Sequence, residues 1–203
     1  GNSTVSLNGW NYEPYHWENI HCQINYSDVD TSFYSIRAKS ASGDKLELSG
    51  SKSLLGNYNI SNLTGFLKQS NLYVKPFFIK KINDYLHVPK AIIHLGDSKS
   101  QLSLNYRNIN NYDINGILTN IDLSKLYSLI GKTFRINGII DNGDFKIEKN
   151  NTLPNSYPIV FINAYLKEGQ IDDIQYNTLV FSASYRNRRF LINNIQLYTD
   201  VGT

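Results

Sequence analysis

Apolar and polar side chains alternate strictly along much of this chain. In Phe33–Lys39, tyrosine, isoleucine and alanine occupy positions 34, 36 and 38, and serine, arginine and lysine occupy positions 35, 37 and 39. The same alternation recurs in Lys45–Ser49, Gln101–Arg107, Asp144–Glu148 and Leu179–Arg186. Because successive side chains of a β-strand point to opposite faces, a period of two predicts strands that are apolar on one face. The chain is therefore predicted to form an all-β fold, a long antiparallel sheet with one apolar face.

Composition argues against several classes of protein. The net charge of the 203 residues is only +3, and no basic run is longer than Lys80-Lys81 or Arg188-Arg189, so nucleic acid is not an expected partner. Cys22 is the only cysteine, which excludes an internal disulfide. No stretch reaches the roughly 18 apolar residues of a membrane-spanning helix. The chain starts at Gly1 and lacks methionine, so we expect residues 1–203 to be a single segment of a longer protein.

Turn residues divide the chain into about ten to twelve predicted strands. The glycine-bearing links Ser42–Asp44 and Asp141–Gly143 predict antiparallel hairpins. Residues 57–60 and 63–68 are predicted as two separate strands. The sequence leaves open whether Pro76–Leu95 is a helix or an irregular pair of strands.

One segment has a helical rather than a strand period. In Asp122–Ile130, Leu123, Leu126 and Leu129 recur at helical spacing, Asp122 is a candidate N-cap, and a glycine follows at position 131. We predict a helix of about two turns here, too short to cover a sheet of this size.

The chain contains no recognisable catalytic, metal or cofactor motif. His21 and Cys22 are adjacent, so in a regular strand they face opposite sides and cannot share a small metal site. The acidic residues Asp28, Asp30 and Asp172-Asp173 fall in predicted turns, where aspartate is common because it hydrogen-bonds its own backbone. We therefore expect no enzymatic activity, no bound metal and no cofactor.

Residues Asp113–Glu148 carry a resemblance to a known family. A strand leads to the short helix of IDLSKLYSLI, and the strand FRINGIIDNGDFKI, which contains glycine, follows. This order resembles the repeating unit of the AsmA-like and TamB family of cell-envelope proteins. Pro158–Gly202 is similar to the pattern of that family nearer its C-terminus, and Ser42–Ser51 resembles its hairpins. The resemblance covers most of the chain from about Ile20. It rests on the general residue pattern and on the spacing of the elements.

The resemblance implies a fold, a function and a location. The fold is a sheet curled into an open trough (a β-taco) with one or two short helices, and the function is transport of phospholipid between membranes of a cell envelope. The expected partners are phospholipid acyl chains and an outer-membrane barrel protein. The implied location is the periplasm, with an inner-membrane anchor in parts of the chain not present here, or a plastid envelope.

The alternation predicts which side chains would form the apolar floor of such a trough. The candidate lipid-contacting residues are Ile20, Cys22, Ile24, Tyr34, Ile36, Ala38, Leu46, Leu48, Leu102, Leu104, Tyr106, Ile114, Leu118, Phe134, Ile136, Ile140, Phe145, Ile147, Leu179, Phe181, Ala183 and Tyr185. Gly116 and Gly138 fall on the same face, where a missing side chain would let the sheet curl or widen the trough.

Three alternatives remain open from the sequence. The floor residues could instead pack the dry core of a β-sandwich or closed barrel. The sheet could offer an edge strand to another strand and act as a scaffold for outer-membrane protein assembly. A β-sandwich could also bind glycans through Trp10 and Trp17, since both lie in an aromatic cluster that otherwise caps the sheet.

Overall fold

A computed structural model describes residues 1–12, 15–26, 31–130, 135–150, 157–186 and 188–199. These residues form fourteen strands and one helix. The strands are β1 (Asn2–Tyr12), β2 (Tyr15–Tyr26), β3 (Thr31–Ser40), β4 (Lys45–Ser53), β5 (Tyr58–Leu67), β6 (Ser70–Val74), β7 (Phe77–Ile82), β8 (Tyr85–Leu95), β9 (Ser98–Asn108), β10 (Asn111–Asp122), β11 (Ile136–Lys149), β12 (Ile159–Ile171), β13 (Ile174–Arg186) and β14 (Arg189–Tyr198). The helix α1 (Leu123–Ile130) lies between β10 and β11.

All fourteen strands belong to one sheet, and every pairing between them is antiparallel. The strand order follows the chain from β1 to β14, except that β6 and β7 share the place between β5 and β8. β1 and β14 form the two edges of the sheet. The predicted all-β fold with a long antiparallel sheet is confirmed, because short turns let each strand pair with the strand that follows it.

The register keeps one face of the sheet apolar from edge to edge. Cross-strand partners in an antiparallel pair project to the same side. One row of partners on this side runs from β1 to β9: Leu7, Ile20, Ala38, Leu46, Gly65, Leu72, Leu95 and Ser98. A second row continues from β9 to β14: Ser100, Leu118, Gly143, Ala164, Phe181 and Ile195. The side carrying these rows is called the apolar face.

The opposite side is called the polar face. A single row of partners crosses it from β1 to β14: Ser6, His21, Arg37, Glu47, Thr64, Tyr73, His94, Lys99, Thr119, Asn142, Tyr165, Val180 and Gln196. Single exposed apolar residues such as Phe33 and Ile117 interrupt it, as is usual on protein surfaces. The sheet is thus amphipathic, with the two faces separated over its whole width.

β-Bulges preserve this separation where the sequence period slips by one residue. The predicted hairpin at Asp141–Gly143 is wrong: β11 continues through it, and a register shift lies between Ile140 and Asn142. The shift lets Ile140 and Phe145 share the apolar face although one is even-numbered and the other odd. A bulge adds one residue to one strand without ending its pairing with the neighbouring strand. The apolar residues can therefore shift from even to odd positions within one continuous strand.

A similar correction applies to β5. Residues 57–60 and 63–68, predicted as two strands, form one strand with a register shift opposite Ser49 and Gly50. The undecided stretch Pro76–Leu95 is two strands, β7 and β8, which pair with each other. The hairpin at Ser42–Asp44 is confirmed, with Gly43 at φ +89° in the turn.

The predicted helix is confirmed as α1. Asp122 accepts hydrogen bonds from the Ser124 amide at 2.9 Å and the Lys125 amide at 3.4 Å, so it caps the free amides of the first turn. Burial opposes ionisation of this carboxyl, but the hydrogen bonds from Ser124 and Lys125 outweigh it and lower the pKa of Asp122. The glycine at position 131 lies outside the described residues.

The best-buried part of the molecule lies where α1 meets the apolar face. Four consecutive cross-strand partners, Ile121, Ile140, Leu166 and Leu179, form a row under the helix. Each is no more than 7% exposed, and Leu123 of α1 packs against them. The helix therefore stabilises one end of β10–β13 by apolar burial. Its Cα atoms lie within 8 Å of Cα atoms in β10 and β11.

Glycines on the apolar face do not leave gaps. A side chain at Gly116 would meet Cε1 of its cross-strand partner Phe145 at 2.2 Å and Leu102 at 2.9 Å. One at Gly138 would meet the Tyr176 hydroxyl at 2.6 Å. Neighbouring side chains fill the space above both glycines, so the glycines do not widen the surface; that they let the sheet curl stays a prediction.

Candidate functional site

The apolar face brings together the floor residues predicted from the sequence. The register connects β2, β3, β4, β9, β10, β11 and β13 through partners on this side, including Cys22 with Ile36 and Leu104 with Ile114. Of the 21 predicted floor residues that the structure describes, Ile140, Leu179 and Ala183 are buried, Tyr106 is exposed, and the others are half-buried. Phe134, the remaining one, lies outside the described residues.

Sequence reasoning missed about half of this face. Ile121 at the end of β10 was missed. Most other missed members come from strands that were undecided, at the edges, or not searched for alternation, and they include Val5, Leu7, Ile60, Leu63, Leu72, Val74, Val88, Ala91, Ile93, Leu95, Val160, Ile162, Ala164, Leu166, Ile192, Ile195 and Leu197. In β12, Val160, Ile162, Ala164 and Leu166 recur with a period of two, but Ile159 and Phe161 next to them are also apolar, so the alternation is less clear than in β3.

An apolar cavity of about 230 Å³ lies beside α1 on this face. Its walls come from β5, β6, β8, β9, β10 and α1, and the lining residues are Leu67, Leu72, Ile93, Leu95, Ser98, Ser100, Leu118, Ile121, Asp122, Lys125, Leu126 and Leu129. An apolar cavity of about 150 Å³ already admits benzene. This one therefore has room for a short stretch of hydrocarbon and offers it almost entirely aliphatic contacts.

The two charged residues at this cavity belong to the start of α1. Asp122 is occupied as the helix cap, with its Oδ1 accepting a 2.6 Å hydrogen bond from the Ser124 hydroxyl. Lys125 is exposed and makes no ion pair within the described part of the chain. The cavity is thus aliphatic inside, and a positive charge stands at its margin.

Two lysines of the polar face form ion pairs with neighbouring carboxylates. Lys146 contacts Glu148 at 2.6 Å and Asp113 at 3.6 Å, and both carboxylates raise the pKa of Lys146. Lys167 contacts Asp141 at 2.9 Å. These exposed pairs contribute little stability, and they build no reactive centre.

Histidine and cysteine are not brought together. His21 lies on the polar face, where its Nδ1 is 3.1 Å from the Ser6 hydroxyl, whereas Cys22 lies on the apolar face. His16 is hydrogen-bonded to the side chain of Asn11. Among the described residues, no three metal-ligating side chains are close enough to hold an ion. Asp172 and Asp173 form the turn between β12 and β13, as predicted, and Asp28 and Asp30 lie outside the described residues.

Two tyrosine hydroxyls lie over glycines of the sheet. The Tyr176 hydroxyl donates to the Asn137 carbonyl at 2.5 Å, and burial, with Tyr127 nearby, raises the pKa of Tyr176 to about 12. The Tyr34 hydroxyl is buried against Gly50 and has no hydrogen-bond partner within the described residues. Burial raises the pKa of Tyr34. A buried hydroxyl without a partner is costly, so the packing of the Tyr34 ring over Gly50 must offset that cost.

Trp10 and Trp17 are cross-strand partners near one edge of the sheet. Trp17 is only 7% exposed and stacks on Tyr15 with 5.8 Å between ring centroids, whereas Trp10 is 50% exposed. A sugar needs an open ring face for stacking, and Trp17 does not offer one. This pair fits a cap on the end of β1 and β2 better than a glycan platform.

Comparison with known proteins gives no match to any family model, curated protein or solved structure. The resemblance of Asp113–Glu148 to the AsmA-like and TamB family therefore stays a prediction. In the part of the chain that is described, α1 with its eight residues is too short to span a membrane, and no other helix is present.

Proposed function

We propose that the chain binds lipid acyl chains on its apolar face and carries phospholipid between membranes of a cell envelope. The observation that supports this most is that two cross-strand rows keep one face of the sheet largely apolar from β1 to β14, and that among the described residues only α1 packs on this face. In this proposal the sheet forms an open trough, and the apolar face is its floor.

The energetic requirement of such a carrier is simple. Holding a sixteen-carbon acyl chain in water costs about 13 kcal/mol, at about 0.8 kcal/mol for each methylene group. A carrier must replace the contact with the bilayer by contact with apolar side chains while the headgroup stays hydrated. A sheet that is apolar on one face and polar on the other meets both needs and requires no catalytic residue.

Burial along the apolar face supports an accommodating surface rather than a closed core. Most predicted floor residues are half-buried. Deep burial occurs in the row beneath α1 and at a few further positions, Ile60, Val74, Val88, Ala91 and Ala183. A dry sandwich core would show close packing throughout. The cavity beside α1 adds an aliphatic recess at one end of the same surface.

The proposal is tested by measuring lipid on the protein itself. Native mass spectrometry of protein purified from cells is expected to show a mass increment that extracts into organic solvent as lipid. Delipidated protein is expected to take up a fluorescent fatty acid until displaced by unlabelled phospholipid. Protein that carries no lipid from cells and takes up no fluorescent fatty acid would contradict the proposal.

A second function is favoured by the two edges of the sheet. All ten residues of β14 are exposed, and its outer backbone groups have no strand beside them in the described structure. An edge of this kind can add a strand from another chain. The partner in this case is an unfolded outer-membrane barrel protein, and the sheet acts as a scaffold for its assembly.

Proline in β14 distinguishes this function from lipid carriage. Gln196→Pro removes a backbone donor from the edge strand at a position whose side chain lies on the polar face, so strand addition is expected to weaken at least tenfold, about 1.4 kcal/mol. Fluorescence anisotropy of a labelled, unfolded barrel protein measures the binding, and lipid uptake should not change. A sheet that carries lipid would give the reverse result. It would not bind the barrel protein, and variants of the apolar face would lose lipid uptake.

A further inference from the structure

The two ends of the sheet carry turns of different chemistry. At one end lie turns 54–57, 83–84 and 109–110, which connect β4 to β5, β7 to β8 and β9 to β10. At the other end, beside α1, lie turns 41–44, 68–69, 96–97 and 172–173. The first is called the basic end and the second the helix end.

Aliphatic side chains protrude from the turns of the basic end. Leu54 and Leu55 are 78% and 81% exposed, and Ile109 is 74% exposed. Ile82, the last residue of β7, is half exposed beside them. The helix-end turns named above contain no leucine, isoleucine or valine. Exposed aliphatic residues at several neighbouring turn tips are unusual on a soluble surface and mark an interaction site.

Hydrogen bonds join these turns into one surface. The Lys81 amide donates to the Asn57 side chain at 2.9 Å, which ties the β7–β8 hairpin to turn 54–57. Arg107 donates to Asp84 at 3.0 Å, which ties turn 83–84 to the end of β9. The aliphatic tips therefore protrude from adjoining parts of one surface rather than from separate parts of the molecule.

Positive charge surrounds the aliphatic tips. Lys52, Lys80, Lys81 and Arg107 flank the turns and are exposed. Asp84 is the one acidic residue within the three turns, and it is paired with Arg107. In and beside the four turns of the helix end, four lysines (Lys39, Lys45, Lys68 and Lys99) are matched by four aspartates (Asp44, Asp97, Asp172 and Asp173), so this end has no comparable excess of positive charge.

We propose that the basic end docks on the surface of an anionic lipid bilayer, with Leu54, Leu55 and Ile109 entering the interface and the surrounding lysines contacting headgroups. Interfacial binding needs buried apolar area together with attraction to anionic lipids, and this surface combines both. Nucleic acid would use the cations alone, because phosphate contacts do not require exposed leucines. None of these side chains lines the cavity beside α1, so docking and lipid uptake can be measured separately.

Flotation with vesicles tests the proposal. The protein is expected to float with vesicles of phosphatidylglycerol mixed with phosphatidylcholine, and not with phosphatidylcholine alone. Lys80→Gln/Lys81→Gln should weaken partitioning about thirtyfold, since each lysine near an anionic surface contributes about 1 kcal/mol. Leu54→Ser/Leu55→Ser should weaken it at least about tenfold through loss of apolar burial.

Matched variants at the helix end serve as controls. Lys45→Gln/Lys99→Gln removes two exposed lysines there, and Ile174→Ser removes an exposed isoleucine, so neither should change flotation. Three results would overturn the proposal: absence of flotation with anionic vesicles, equal weakening by the helix-end variants, or binding that survives Leu54→Ser/Leu55→Ser unchanged and is matched by duplex DNA. Retained flotation of Leu104→Asp protein would separate docking from the proposed lipid uptake.

Discussion

Leu104→Asp is expected to abolish uptake of a fluorescent fatty acid, while Ser103→Asp leaves it unchanged. Both residues lie in β9, but Leu104 is paired with Val88 and Ile114 on the apolar face, and Ser103 is paired with Asn115 on the polar face. A carboxylate under an acyl chain must lose its water or keep the chain away, and either costs several kcal/mol. We expect uptake to fall at least a hundredfold, about 2.7 kcal/mol.

A second pair of variants repeats the test in another strand, so that the result does not depend on β9 alone. Phe181→Asp alters the apolar face in β13, and Ser182→Asp alters the polar face next to it, between Asn163 and Asn194. Thermal unfolding of all four proteins checks that the fold survives. Equal loss of uptake in the apolar-face and polar-face variants, or uptake preserved in every folded variant, would show that the apolar face does not bind the lipid.

The assignment of residues to faces could be predicted because it depends on local geometry alone. In β3, Tyr34, Ile36 and Ala38 alternate with polar residues, and the pleat sends them to one side whatever the neighbouring strands are. Pairing then only has to keep apolar residues opposite each other, and a slip by one residue would reverse every side chain. Burial of one face therefore specifies the register.

Strand boundaries were less predictable because a shift of the apolar residues from even to odd positions can arise from two different structures. Between Ile140 and Phe145 the apolar residues change from even to odd numbers, which a hairpin or a bulge can explain equally well. The sequence Asp141-Asn142-Gly143 favours a turn, but the paired strands on both sides continue without a break and hold β11 extended. Tertiary pairing overrides the local preference here, as it often does in sheets.

The cavity beside α1 and the basic end could not be predicted from alternation. The cavity requires knowing that Leu72 and Leu95 are cross-strand partners and that Leu126 of α1 lies over them. The basic end requires knowing that Leu55 and Ile109, distant in sequence, lie at the same end of the sheet. Both depend on strand order, which a single sequence does not specify.

Gly116→Ala is expected to destabilise the protein by about 2 kcal/mol, although alanine is normally the better residue in a strand by about 0.5–1 kcal/mol. The new methyl group would stand 2.2 Å from the Phe145 ring and 2.9 Å from Leu102, so the ring must leave its position over the glycine. Gly50 with Tyr34 and Gly169 with Tyr176 have the same arrangement of a glycine beneath its cross-strand partner. Chemical denaturation measures the change.

A double-mutant cycle with Phe145→Ala isolates the cause. In the Phe145→Ala background the space above Gly116 is open on that side, so Gly116→Ala should become neutral or stabilising by a few tenths of a kcal/mol. The coupling free energy between the two positions should then be about 2 kcal/mol. If Gly116→Ala is equally destabilising with and without the ring, the strain comes from the backbone, and Phe145 does not fill the floor at this point.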